Sequence, residues 1–481
     1  MNRQTRTARK PLAGPAAALL FFLAALPAAC VAQAAPAPPA GAEQREQLLN
    51  GLKIVLVERP GEAQAVLRLR VHNGAAFDLA GKDGLMALLG DALFPDPQTR
   101  EYVTGDLEGR LSVSVGHDSI DVLLAGRADQ FERLVELLRN AVVNTQLTPE
   151  VFGRVRDARV KIVRELGVSP GAVADDAISA RLYGAYPYGR RVAGTPESLA
   201  RIERGDLVQA RERFLNPNNA TLVVSGGFER RRALRALRQF LGVWRKGDQV
   251  VPPTFRQPEA VDARPLVIDF PGLPDAEVRV AVRGVARAER DAAAGAVLAE
   301  LARTRWLAAA PELKGRAVTV RHDARALGGT FTFGASVPTT AAAAQALESA
   351  RKVLDALAAT AVPADELETA KKSAAAALNK QAEGGEQPAD SLLDSQTYGT
   401  AQASASELAR AAAALTPADV QRVAAKLFRE QAASVVVGDA ARLRADLARL
   451  GEVETGGDAP AKPAPKPAQA APFKAPAPRR P

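Results

Sequence analysis

The side chains that do most protein chemistry are scarce in this chain of 481 residues, which has three histidines (His72, His117 and His322) and one cysteine, Cys30. Activating water on a zinc ion takes two or more imidazole or thiolate ligands held together, and two histidines one turn apart on a helix hold them most directly. The histidines here stand 45 and 205 positions apart, so no helix can pair two of them, and each is read as a strand-end or loop residue. Ser349-Ala350-Arg351-Lys352 has the Ser-x-x-Lys spacing in which a lysine can activate a serine. It lies inside an Ala-rich helical run without a Lys-Thr-Gly partner, and chance explains it. Residues 84–94, GLMALLGDALF, read as a short helix packed by Leu85, Leu88, Leu89 and Leu93, with neither histidine nor glutamate on it.

The elements around that run fall into two similar sets. In the first, LKIVLVE and AVLRLRV alternate apolar and polar residues as half-buried strands do, LSVSVGHDSIDVLLAG supplies further strand, and ADQFERLVELLRNAVVN has helical spacing. In the second, PLVIDF and AEVRVAVRGV precede an Ala-rich helix around 290–310, and GTFTFGASV returns to strand. GDLVQARERFLNPNNATLVVSGG, from Gly205, is echoed by ADVQRVAAKLFREQAASVVVGD, from Ala418. Each copy has an aspartate in the N-cap place (Asp206, Asp419), then an amphipathic helix, then a β-branched run ending at Gly226 or Gly438. The copies are about 212 residues apart, too far for a solenoid repeat and right for a duplicated domain. The expected fold is α+β, with two tandem homologous domains at 45–245 and 263–450. KGDQVVPPTFRQPEAVD, 246–262, reads as the linker between them.

The two ends read differently. Arg3, Arg6, Arg9 and Lys10 precede an apolar run from Ala17 to Leu26, and Ala32-Gln33-Ala34 has the small-x-small pattern of signal cleavage. Residues 1–34 are therefore expected to be a signal peptide, 35–44 a short linker, and the protein periplasmic or secreted. Leu26-Pro27-Ala28-Ala29-Cys30 resembles a lipoprotein box with Pro27 in place of the usual leucine, so Cys30 is the residue through which a lipid anchor would attach. No later stretch is apolar enough to span a membrane, and a single cysteine allows no internal disulfide. Residues 456–481 are rich in Pro, Ala and Lys and read as an extended, disordered tail. The leader and the tail account for nearly all of the formal charge of +9, and an almost neutral middle gives no electrostatic reason to expect nucleic acid.

LNGLKIVLVE, Gly84-Leu85 opening a helix, Tyr186-Pro187-Tyr188-Gly189-Arg190 with GTPESLARI, and NPNNATLVVSGGF occur in the order and spacing of the pitrilysin/insulinase superfamily of zinc metallopeptidases. The chain resembles that family over roughly 45–445. The resemblance implies two αβ-roll domains per chain, and pairing of such halves around a chamber that takes unfolded or extended peptides. It also implies a zinc helix, His-x-x-Glu-His, with a more distant glutamate as the last protein ligand. Matched residue by residue, the histidines fall on Ala87 and Asp91 and the glutamate on Gly90, and only the distant ligand persists, as Glu165 in VKIVREL. Ala87 and Gly90 offer no ligand and no base, and two carboxylates without imidazole hold zinc weakly. Asp91 and Glu165 are expected to be solvated or paired with an arginine such as Arg164.

Some members lack the zinc helix and lend an Arg and a Tyr to a sister chain. In RTRWLAAAPELKGRAVTV, aligned through Glu312, Lys314 and Gly315, those positions are Pro311 and Val318, and a shifted alignment would bring in Arg316 or Arg305. The expectation is a non-catalytic homologue without zinc or other cofactor, assembled with an active sister subunit. The alternatives are a stand-alone periplasmic scaffold for extended peptides and a zinc-dependent endopeptidase. Membrane contact is expected only if Cys30 is lipidated.

Overall fold

A computed structural model describes residues 43–338, 340–383 and 387–456. The leader, Cys30 and the tail beyond Gly456 lie outside the described residues. The first half builds a six-stranded sheet from β1 (Glu43–Gln47), β2 (Lys53–Glu58), β3 (Gln64–Val71), β4 (Arg110–Val115), β5 (Ile120–Arg127) and β6 (Ala220–Gly226), in the order β1-β2-β6-β3-β5-β4. The second half builds another from β7 (Leu266–Asp269), β8 (Ala276–Gly284), β9 (Val318–Ala324), β10 (Gly329–Val337), β11 (Ala433–Gly438) and β12 (Glu454–Thr455), in the order β12-β7-β11-β8-β10-β9.

Five strands of each sheet repeat the same plan, a parallel pair (β2 with β6, β7 with β11) followed by antiparallel neighbours. The register repeats as well: Arg68 lies opposite Val223 three residues before Gly226, and Arg279 lies opposite Val435 three residues before Gly438. The copies differ at one edge, where antiparallel β1 takes the place that parallel β12 takes in the second sheet.

Alternation along the strands separates two buried faces. Ile54, Leu56, Leu222 and Val224 join Leu134 and Leu138 of the helix Phe131–Val142 and Ala233 and Leu237 of the helix Arg230–Leu241 in one core. Val55 and Val223 point the other way, onto Ala389 and Leu393 of the helix Gln387–Thr397, which belongs to the second half. The favour is returned: Val173, Ala177 and Ile178 of the first half's helix Pro170–Tyr183 pack on Ile268, Ala281, Val435 and Val437 of the second sheet. Burial on both faces is why β6 and β11 read as continuous apolar runs. Residues 246–262 cross between the sheets without helix or strand, and Phe255 meets Phe77 edge-on at 5.4 Å.

The repeated aspartates need one correction. Glu203 and Thr416 are the N-caps, and Asp206 and Asp419 stand three residues later, accepting from Glu203 N at 2.8 Å and from Thr416 N at 3.2 Å. Both are the far members of capping boxes, in which the N-cap side chain serves the N3 N–H and the N3 carboxylate reaches back to the N-cap's own N–H. Among the described residues no helix is long and apolar enough to cross a membrane.

Candidate functional site

The helix expected within 84–94 runs from Leu85 to Asp91. Asp78 takes up its free N–H groups, accepting from Gly84 N at 2.7 Å and from Met86 N at 2.8 Å. Burial pushes the Asp78 carboxyl up to about 7 against the pull of those two bonds. Leu85, Leu88, Leu89 and Leu93 are all buried.

The two positions matched to histidines meet one guanidinium. Arg159 donates to Asp91 from Nε at 2.8 Å and from Nη2 at 2.6 Å, and Nη2 lies 3.4 Å from the Ala87 carbonyl oxygen. Arg159 comes from the helix Pro149–Gly167, whose buried residues Phe152, Val155 and Val163 share its face. The partner of Asp91 is therefore Arg159 rather than Arg164, which is exposed because it is turned about 100° from Val163. Glu165 is exposed on the same helix, off the face that meets Asp91.

At Gly90 a Cβ would lie 2.6 Å from Val115 Cγ2 and 3.4 Å from Val113 Cγ1, so β4 fills the space that a base would need. Ala87, Gly90, Asp91 and Glu165 do not fit a zinc ion: there is no imidazole, one carboxylate is engaged by a guanidinium, and the base position is closed. Among the described residues no group of three or more His, Cys, Asp or Glu side chains could hold a metal ion.

The histidines stay apart. His72 follows β3 and shares a hydrogen bond with Thr221 Oγ1 at 2.9 Å, and His117 lies in the β4–β5 turn with Nε2 3.2 Å from Arg190 O. His322 departs from the expectation of a strand end or loop: it sits within β9, opposite Phe331, where Gly284 and Gly295 leave room for its ring. Burial pulls His72, His117 and His322 down to about 4, 3 and 4.

Ser349 donates to Ala346 O at 3.0 Å and accepts from Trp306 Nε1 at 3.1 Å, while Lys352 pairs with Glu348 at 2.6 Å, so they form no Ser/Lys couple. Gly167-Val168-Ser169-Pro170-Gly171 spells Gly-x-Ser-x-Gly, but it joins two helices rather than a strand to a helix. Pro311 opens a single 3-10 turn and Val318 begins β9. Arg316 is paired with Asp275 at 2.9 Å, and Arg305 with both oxygens of Glu366 at 2.8 and 2.9 Å, so neither guanidinium is spare.

Tyr186–Arg190 forms a joint between the halves. Tyr188 Oη donates to Asp118 at 2.6 Å and accepts from Leu327 N at 3.0 Å, and Ala326 N reaches the other Asp118 oxygen at 2.8 Å. Arg190 donates to the Asp78 carbonyl at 2.8 Å, tying this joint to the residue that holds the short helix. No motif marks Asp78, Asp118 or Arg159, whose roles exist only once the elements meet.

Residues 201–374 match the family model described as Peptidase M16 inactive domain. Cytochrome b-c1 complex subunit 1, mitochondrial, of Bos taurus is 24% identical over 254 residues, 52% of this chain and 52% of that protein. The chain spans about half the length of the curated relatives it matches. Among solved structures, a protease from Helicobacter pylori has a TM-score of 0.75 at 18% identity, covering 83% of this chain and 100% of that one. A peptidase M16 inactive domain from Pseudomonas fluorescens has a TM-score of 0.72 at 18% identity, covering 82% and 98%. At such identities the likeness to these structures is one of fold.

Proposed function

We propose that this chain, which carries an M16 inactive-type domain on an M16-like peptidase fold and has homologues in the M16 family, works as a non-catalytic subunit beside an active zinc-peptidase sister chain. The two together would enclose a chamber for unfolded or extended peptides. The observation that supports this reading is the Arg159 guanidinium on Asp91 and the Ala87 carbonyl, a positive charge beside the two positions matched to the zinc-binding histidines that would repel a divalent cation. Val115 against Gly90 adds that no general base has room there. That one homologue is by name a subunit of the cytochrome b-c1 complex supports a protein partner. The leader supports export to the periplasm or beyond, with a lipid anchor only if Cys30 is acylated.

The test is co-expression with a chain from the same genome that keeps His-x-x-Glu-His. The expected results are a stable complex by light scattering, a cleavage rate or specificity on unstructured fluorogenic peptides that differs from that of the sister alone, and no cleavage above background by the isolated chain. Chelator-sensitive cleavage by the isolated chain would overturn the reading. Binding of extended peptides without any sister complex would replace it with the stand-alone scaffold.

A further inference from the structure

The three most exposed large apolar side chains among the described residues, Leu49 (106% exposed), Val243 (59%) and Val250 (49%), all lie on two loops of the first half that are hydrogen-bonded to one another. Single apolar residues on a surface are ordinary, whereas neighbouring ones mark a place where something else covers them. Leu49 lies in the turn between β1 and β2, and Val243 and Val250 lie in the loop that follows the helix Arg230–Leu241.

These loops are joined rather than frayed. The Asn50 side chain donates to Leu241 O at 2.8 Å and to Trp244 O at 3.0 Å, and its oxygen accepts from Leu52 N at 3.2 Å. Trp244 Nε1 donates to Leu215 O at 3.1 Å, and Asn218 exchanges bonds of 3.2 and 2.9 Å with Gly247. Gly51, at φ +92°, lets the turn lie on Asn218, whose Cβ would be 2.7 Å from any Cβ placed there. Asn50 and Trp244 are buried, so a rigid base holds the aliphatic tips out in water.

Basic residues lie within a few positions of the tips in the sequence. Lys53, Arg238, Arg245 and Lys246 are all exposed, against Glu46, which lies 3.7 Å from Arg238, and Asp248 in the same loop. Exposed aliphatic tips with exposed bases on the same loops match the apolar-plus-basic make-up of a surface that binds anionic lipid.

We propose that these two loops of the first half form a membrane-contact surface, where Leu49, Val243 and Val250 enter the headgroup layer of an anionic bilayer and Lys53, Arg238, Arg245 and Lys246 meet lipid phosphates. Three aliphatic tips give weak, reversible attachment, and each base near an anionic surface strengthens it about fivefold at low salt. The surface is formed by residues of the folded first half, distinct in sequence from Cys30 and from residues 456–481.

Protein recovered after export, carrying Cys30→Ser so that no acyl chain contributes, is sedimented with vesicles of phosphatidylcholine alone or mixed with phosphatidylglycerol. It is expected to bind the mixed vesicles, more weakly as salt rises. Leu49→Ser/Val243→Ser/Val250→Ser should weaken that binding by about tenfold or more, and Arg238→Gln/Arg245→Gln/Lys246→Gln should remove the preference for anionic lipid. In a second measurement, an environment-sensitive dye on Leu49→Cys in the Cys30→Ser background should shift to the blue with mixed vesicles. Equal binding by the wild-type and triple-serine chains, as attachment through the tail would give, overturns the proposal, and so does an unshifted dye. Self-association that the serine variant abolishes while vesicles go unbound also overturns it, and assigns the patch to a protein contact.

Discussion

Arg159 and Asp91 leave little of their side chains in water, 16% and 32%, and meet through two bonds of 2.6 and 2.8 Å. Burial pushes the Asp91 carboxyl up while Arg159 pulls it back, so the charge on Asp91 depends on its partner. This decides what substitution can restore. Gly90→Glu must place a Cβ 2.6 Å from Val115 Cγ2, and overpacking of that kind costs about 1–3 kcal/mol. Asp91→His would also leave Arg159 facing a histidine with no counter-charge. The triple variant Ala87→His/Gly90→Glu/Asp91→His is therefore expected to unfold at a lower temperature than wild type and to keep well under one zinc per chain after dialysis. Calorimetry and metal analysis read the two, and a triple variant at wild-type stability with one retained zinc would contradict the account. The absence of imidazole and glutamate at 87, 90 and 91 was legible in the residue types; the guanidinium was not, because its position depends on how two helices cross.

At the scale of elements, the two halves hold each other by exchanging helices, and the exchange carries a matched pair of charges. Arg68 and Arg279 occupy the same register in their sheets, opposite Val223 and Val435. Each reaches an aspartate on the helix lent by the other half: Arg68 to Asp390, and Arg279 to Asp175 at 2.6 Å. Arg70 adds Asp394 at 2.7 Å, one turn beyond Asp390. Two strand residues on one face and two helix residues four apart span similar lengths, which lets both pairs form at once. In a double-mutant cycle on Arg279 and Asp175, denaturant unfolding should report a coupling of about 1 kcal/mol, modest because Asp175 is partly solvated. The charge swap Arg279→Asp/Asp175→Arg should recover part of the loss, and additive single losses would mean the latch carries no energy. The duplication itself was readable from the helix-strand repeats ending at Gly226 and Gly438. The exchange was not, since Asp175 and Asp390 lie in helices with no counterpart in that repeat.

For the whole molecule, the buried histidines set a pH dependence. In the unfolded chain each titrates near its ordinary pKa of about 6.5, whereas in the fold they stay neutral until about 4, 3 and 4. Over the interval between, the unfolded chain binds three protons that the folded chain refuses, so stability rises with pH from about 4 to 6.5 and then levels off. Asp78 opposes this: its pKa of about 7 keeps it protonated in the fold where the unfolded carboxyl has ionised, cancelling roughly one of the three protons. The thermal midpoint should therefore fall on going from about pH 7 to about pH 5. His117→Gln, which keeps a donor for the Arg190 carbonyl, should reduce the slope by about 1.4 kcal/mol per pH unit. An unchanged slope in that variant would show that His117 titrates freely in the fold.

Some of this was settled by the sequence alone. Residue types and their spacing state that no helix pairs two histidines, that one cysteine allows no internal disulfide, and that a helix-strand unit recurs about 212 positions on. Such statements hold in any conformation, or rest on periodicities within one element. Tertiary structure decided the rest: Arg159 as partner of Asp91 across 68 positions, Asp390 on Arg68 across 322, His322 inside a strand, and three aliphatic side chains exposed on joined loops. Contacts of that span are chosen by the packing of whole faces, where a turn of about 100° on one helix separates Arg164 in solvent from Val163 in the core.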